Sequence, residues 1–167
     1  MNVSLPVEKV RDLTLLRLPG DLVLVIACDS AGGIGPKERD VVKVPGYVLG
    51  RFTARVALME VLASGALPAV VVSTLSVEPE PVGREIMAGV EEEARESGLD
   101  PRRAVTGSSE KNTPTCQTGL GITAIGMARE DELRFGRSVR GDAVMCVGVP
   151  KVGDQVRLGD PDIADPK

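Results

Sequence analysis

The chain has no histidine and no tryptophan, one tyrosine, two phenylalanines and three cysteines in 167 residues. Without histidine the Ser-His-Asp and Cys-His couples are excluded, together with zinc sites that need imidazole and an imidazole general base. Three cysteines, none in a C-x-x-C spacing, are too few for an all-cysteine zinc site. Cys28 and Cys146 fall in apolar runs and are expected to be core thiols, which leaves Cys116, in a polar loop, as the thiol placed to react. Scarce aromatics and a net charge of -4 provide neither the basic field nor the stacking rings that nucleic-acid binding uses. No apolar run approaches the roughly 18 residues of a membrane span, and residues 1–10 lack the positive and hydrophobic regions of a signal peptide, so no membrane association and a cytoplasmic location are expected.

What remains for chemistry is carboxylates, lysine, arginine, hydroxyls and backbone amides, a set that suits Mg²⁺ and phosphate. The length is that of one domain, and 43% apolar with 26% charged residues is an ordinary composition for a folded core. Residues 22–28, seven apolar residues in succession, read as a strand that delivers Asp29 to a glycine-rich loop containing Gly32, Gly33, Gly35 and Lys37. Glycines permit φ > 0 and let successive N–H groups face an anion, with Lys37 adding a point charge. An ordinary turn after a strand has the same composition, and the P-loop pattern is absent because Lys37 stands between Pro36 and Glu38.

Taken in order, residues 10–18 read as a first strand carrying Asp12 near its start, turned by Pro19-Gly20-Asp21 into the strand just described. Residues 47–64 read as a helix with Leu49, Phe52, Val56, Met59 and Ala63 on its apolar side and Arg51 and Arg55 as a solvated stripe. Glu60 projects close to Leu49, Thr53 and Val56, where a carboxylate either needs a partner or escapes to water at the boundary. Residues 68–75 read as a second buried strand, residues 81–97 as an amphipathic helix with Glu91, Glu92 and Glu93 as a solvated face, and residues 104–107 as the start of a further strand. A polar loop over residues 108–118 precedes strands at 120–128 and 142–149, and residues from 151 on read as a linker or tail. Strands and helices alternating through short connections indicate an α/β or α+β fold with a mixed sheet and helices on one face. The strands at 22–28 and 69–72 are apolar on both sides, which suggests that a second copy covers the free face.

Four segments together carry a family resemblance. Arg11-Asp12-Leu13-Thr14-Leu15-Leu16, Cys28-Asp29-Ser30 with Gly33-Ile34-Gly35-Pro36-Lys37, Met59-Glu60-Val61-Leu62-Ala63-Ser64-Gly65-Ala66, and Gly107-Ser108-Ser109-Glu110 followed by residues 120–126 are in the order and spacing of a known pattern. Residues 10–149 thereby resemble the N-terminal, ATP-binding domain of the aminoimidazole ribonucleotide (AIR) synthase superfamily, which includes thiamine-phosphate kinase, selenophosphate synthetase and the hydrogenase maturation dehydratase. The resemblance implies a domain over residues 1–150 followed by a linker or tail over 151–167, with two such domains pairing through their sheets. It implies ATP and Mg²⁺ as cofactors, with Asp12, Asp29, Glu60 and Glu110 as metal ligands. Gly32, Gly33, Gly35, Lys37, Gly107 and Ser108 become nucleotide contacts, and Lys37 and Asp29 the groups nearest the chemistry.

This sequence departs from the family pattern at several positions. Arg11 stands where the kinases have a second Asp, Asp29 lies eight residues before Lys37 instead of five, Glu60 replaces an Asp, and Glu110 comes one position late. The family's second domain would begin where this chain ends. The reading that follows is an Mg-ATP-dependent phosphotransferase acting on a small nucleoside-like or alcohol acceptor, similar to the α-ribazole kinases of cobalamin salvage. The alternatives are ATP-dependent activation of an amide, and a nucleotide-binding domain without turnover.

Overall fold

The computed structural model describes residues 5–146 and 148–164. Its centre is a six-stranded sheet in the order β1-β2-β3-β8-β6-β7, built from β1 (Val7–Val10), β2 (Leu13–Leu18), β3 (Leu22–Gly32), β6 (Leu67–Leu75), β7 (Val105–Ser109) and β8 (Gly119–Arg129). All pairings are antiparallel except β6 with β7. A two-stranded parallel ladder, β4 (Ile34–Gly35) with β5 (Val42–Lys43), closes the glycine loop. The helices α1 (Gly46–Ala63) and α2 (Arg84–Glu96) pack over one face of the sheet, so the mixed α+β fold with helices on one side is the one expected.

Side chains of β3 alternate. Val23, Val25 and Ala27 are buried under α1, while Leu24 and Ile26 face the other way and are only partly covered. The opposite face carries Leu16, Leu24 and Met127 in one row across the sheet and Ile26, Ile125 and Val70 in the next. It is apolar and, among the described residues, has no layer over it, which is why these strands read as hydrophobic on both sides.

Four expectations need correction. The first strand is interrupted: residues 11–12 form a turn, with Arg11 at φ 54°, and Asp12 therefore lies in a connection between β1 and β2. No strand forms among the described residues of 142–149, where Val144 and Met145 are exposed. Cys28, Cys116 and Cys146 are all exposed; Cys28 points to the open sheet face, where its Sγ lies 3.4 Å from Thr123 Oγ1.

The largest correction concerns the helices. Arg51 and Arg55 are buried, and Glu93 is 0% exposed. Arg55 Nε donates to Glu93 Oε1 at 2.6 Å, Arg51 Nε donates to the other oxygen, and Arg51 also pairs with Glu96. A helical wheel of α1 alone cannot show this, because the counter-charge comes from α2. The two helices approach closely enough for the pairing because glycines cross: a Cβ at Gly50 would lie 2.0 Å from the Ile86 carbonyl oxygen, and one at Gly89 would lie 2.2 Å from that of Tyr47.

Candidate functional site

Three carboxylates that are far apart in sequence come to one side of α1. Asp12 is presented by the β1–β2 turn, Asp29 by the helix-facing side of β3 opposite Ile122, and Glu60 by the last turns of α1. A cleft of about 330 Å³ is lined by Arg11, Asp12, Leu13, Glu60, Ser64 and Phe135. A second hollow, of about 220 Å³, lies against Asp29, Thr53 and Val56. Val56 is one turn from Glu60, so the two hollows flank the same carboxylate.

The electrostatics of the three are unfavourable. Burial raises the Glu60 carboxyl above its ordinary range, and the negative charges of Asp12 and then Asp29 raise it further. Glu60 Oε2 is buried without a hydrogen-bond partner. Burial also raises Asp29, with a bond from the Ser30 N–H pulling the other way. The orphaned Glu60 oxygen, with the carboxylates of Asp12 and Asp29 near enough to act on it, is of the hard-oxygen type that a divalent cation takes. Among the described residues, no group of three or more acidic or cysteine side chains is already gathered as a metal site.

The glycine loop follows directly from Asp29. Gly33 has φ 69° and Gly35 φ 149°, and a Cβ at Gly35 would lie 2.5 Å from Thr118 Oγ1 and 2.9 Å from Asp40 Oδ2. That crowding marks the device that shapes the loop. The buried Asp40 carboxylate accepts from Lys37 N–H (2.8 Å), Thr118 N–H (2.7 Å) and the Thr118 hydroxyl (2.6 Å). Gly33 N–H donates to the Thr118 carbonyl at 2.8 Å, so two of the loop's amides are already engaged within the fold. Burial alone would raise Asp40, yet the bonds from Thr118 and Lys37, aided by the charge of Lys43, hold it below the usual carboxylate range.

Asp40→Ala is expected to cost about 2–3 kcal/mol, because it strands a buried Thr118 N–H and releases the loop. The pH dependence has a definite sign. A depressed folded pKa contributes stability that is complete above the unfolded value, near 4, and is lost as pH falls through the lower folded value. Urea titrations of wild type and variant between pH 7 and pH 3 should therefore converge on acidification. A constant gap would contradict the assignment.

Lys37 is not free. Its side chain is only 12% exposed, and Nζ pairs with Glu78 and donates to the Thr115 carbonyl at 2.8 Å. Glu78 also accepts from Thr115 N–H at 3.1 Å, and its carboxyl is pulled down to about 2, chiefly by Lys37 and then by backbone N–H bonds. Neither Asp40 nor Glu78 was singled out from the sequence. The available signals were an acid three residues past Lys37, able to turn back on the loop, and an acid within the Val-Glu-Pro-Glu-Pro connection after β6.

Gly107 and Ser108 lie elsewhere on the same end of the sheet. Asp29, Ile122, Ser73 and Gly107 form one row across four strands, which separates the outer two by about 14 Å. Gly107 is required by the sheet itself, since a Cβ there would lie 2.0 Å from the Ser73 carbonyl oxygen. Gly107 and Ser108 line a separate cleft of about 440 Å³ with Leu75, Arg84, Met87 and Lys111. Glu110 turns back on its own loop, accepting from Asn112 N–H at 2.7 Å and Thr113 N–H at 3.2 Å, and those bonds hold its carboxyl below the ordinary range. The structure thus puts Asp12 and Glu60 on one cleft and Asp29 on the neighbouring hollow, near enough for both charges to act on Glu60 without the three being gathered as a ligand set, and it does not bring Glu110, Gly107 or Ser108 to them. Residues 148–164 fold back toward α1: Arg55 Nη1 donates to the Ala164 carbonyl at 3.2 Å, and Gly153 and Val156 border the hollow at Asp29.

The sequence matches the family described as AIR synthase related protein, N-terminal domain, over residues 10–128. No match is found among curated proteins. Among solved structures the chain is similar to AaThiL complexed with AMPPCP and TMP, with a TM-score of 0.55 and 14% identity over 71% of this chain and 36% of that one. It is similar to the thiamine-monophosphate kinase of Stenotrophomonas maltophilia K279a, with a TM-score of 0.51 and 22% identity over 76% of this chain and 38% of that one. It is also similar to Thermotoga maritima PurL complexed with ADP, with a TM-score of 0.51 and 15% identity over 73% of this chain and 21% of that one. At these identities the likeness is one of fold, and the chain spans well under half the length of each.

Proposed function

The chain belongs to the AIR synthase related family by its N-terminal domain, and from that premise we propose that it is an Mg-ATP-dependent phosphotransferase whose acceptor is a small nucleoside-like or alcohol hydroxyl, as in an α-ribazole kinase. The observation that carries this reading is Glu60: a carboxylate raised by burial and by two neighbouring acids, with one oxygen unsatisfied, is the kind of group that a divalent cation stabilises. Asp12, Asp29 and Glu60 would hold Mg²⁺, which when bound would neutralise charge on the nucleotide phosphates.

The chain's own contribution is positioning. The strand β3 carries Asp29 and the glycine loop on one rigid element, and Asp40 with Thr118 fixes the loop's path, so the nucleotide meets a preformed wall. Phosphoryl transfer asks mainly for alignment and charge neutralisation, so the absence of histidine is no obstacle. Residues 1–150 constitute this nucleotide domain in our reading and residues 151–167 its tail. The open apolar face of Leu24, Ile26, Ile125 and Val70 supports pairing of two copies, which sedimentation equilibrium at micromolar concentration tests directly: a stable monomer would exclude it. No helix among the described residues is long and apolar enough to cross a membrane.

Phosphorus NMR of the protein with Mg-ATP and a panel of nucleosides and small alcohols should show ADP and a new phosphomonoester growing in equal amounts. ADP with inorganic phosphate alone would point instead to hydrolysis or to activation of another group. No change in the ATP resonances would contradict turnover.

A further inference from the structure

Glu78 occupies a cradle whose form is that of an anion site. Three donors converge on its carboxylate: Lys37 Nζ, the Thr115 N–H at 3.1 Å and the Thr115 hydroxyl at 3.4 Å. They come from two separate segments, the end of the glycine loop and the β7–β8 loop, and meet Glu78 on the connection after β6. A cleft of about 250 Å³, lined by Glu78, Pro79, Glu110, Lys111, Asn112 and Thr113, opens beside the carboxylate. A backbone N–H, a hydroxyl and an ammonium around one pair of oxygens also make a phosphate-binding set, because carboxylate and phosphate oxygens accept from the same donors.

A second tie makes this carboxylate dispensable to the loops it joins. Asp40 with Thr118, Gly33 N–H with the Thr118 carbonyl, and Gln117 Nε2 with the Arg39 carbonyl at 2.8 Å already stitch the glycine loop to the β7–β8 loop without Glu78. Glu78 is 34% exposed at its side chain, so it can swing into the neighbouring cleft, whereas Lys37 is held in the wall.

We propose that the Lys37–Thr115 cradle is a phosphate subsite for a polyphosphate chain, and that Glu78 is its resident internal occupant, displaced when the ligand's phosphate takes over the same donors. This deepens the phosphotransferase reading and rests on it for the identity of the ligand, which would be a nucleoside triphosphate. It gives Lys37 a phosphate contact only after exchange, and it makes Glu78 a positioning residue that keeps the Lys37 ammonium in place and neutralised until then. No covalent bond changes in the exchange.

The test uses inorganic tripolyphosphate as the probe, titrated calorimetrically into wild type, Glu78→Ala, Glu78→Gln and the double variant Lys37→Met/Glu78→Ala, at fixed ionic strength in chloride. Emptying the cradle in Glu78→Ala should tighten tripolyphosphate binding at least tenfold, Glu78→Gln, whose neutral amide still sits there but is more easily displaced, should tighten it by a smaller factor, and removing Lys37 as well should abolish the gain. Alanine removes the occupant and glutamine removes only its charge, so a gain in either one that melts cooperatively suffices. Equal affinity of wild type and single variants, including the case in which none binds, would overturn the proposal and leave Lys37–Glu78 as a salt bridge between loops. A gain that persists without Lys37 would overturn it too. Wild type titrated with Mg-ATP separates the two readings: Mg-ATP binding without any gain in the variants sinks the cradle alone, and a gain in the variants without Mg-ATP binding sinks the phosphotransferase reading alone.

Discussion

Glu93→Ala is expected to lower the stability of the domain by about 3–5 kcal/mol, the cost of leaving two buried guanidinium groups with their shared carboxylate gone. Glu93 is fully buried and bonds both Arg51 and Arg55, whose side chains are themselves about nine-tenths covered. In a domain of ordinary marginal stability such a loss is a large fraction of the total. Glu93→Gln should fall between wild type and alanine, since it keeps one acceptor but no charge. Replacing the network as a unit, with leucine at 93, methionine at 51 and 55 and glutamine at 96 so that the second partner of Arg51 is not left charged, should recover most of the loss, because a buried ion network does little net work against well-packed apolar groups of similar size. Guanidinium unfolding monitored by circular dichroism measures all three. A loss below about 1 kcal/mol in Glu93→Ala would mean that water reaches the arginines and that the network is peripheral.

Glu60→Gln is expected to act on two quantities in opposite directions. The substitution keeps the shape and removes a charge that burial, Asp12 and Asp29 all disfavour. Stability without ligand should therefore stay level or rise, and Mg-ATP binding should weaken at least about tenfold, or ~1.4 kcal/mol. The pH dependence again has a sign. A carboxyl whose folded pKa is raised costs stability in its ionised form, so the wild-type penalty is full at pH values above the folded pKa and is relieved as pH falls toward the unfolded value, near 4.3. That is the reverse of Asp40. Thermal melts from pH 7.5 downward should show wild type approaching Glu60→Gln as the group protonates. A structural salt bridge at Glu60 would produce a lower melting temperature in the variant and unchanged nucleotide affinity.

The parts of this molecule that read well from the sequence are those governed by one element at a time. The strand at β3, the helix α1 and the β8 strand were set by local apolar pattern and by turn residues, and the structure has them within a few residues. Glu60 stood out because a carboxylate on an apolar stripe conflicts with its own helix, and the conflict is still there in the fold. What could not be read depends on which element arrives opposite. Arg51 and Arg55 looked solvated until α2 brought Glu93, and residues 142–149 had a strand's composition but found no partner edge among the described residues. In the same way, Lys37 read as an open phosphate contact because nothing local predicts that Glu78, 41 residues later, lies against it. The glycines were legible as a loop, whereas the Asp40–Thr118 tie that shapes it joins residues 78 positions apart.

The most direct test is a calorimetric titration of ATP into the wild-type protein, once with Mg²⁺ and once with EDTA, repeated on Glu60→Gln. Binding that needs Mg²⁺ in wild type and weakens at least tenfold in the variant is the expected result. Affinity that is the same with and without Mg²⁺, or the same in both proteins, would contradict a metal-nucleotide site built on Asp12, Asp29 and Glu60.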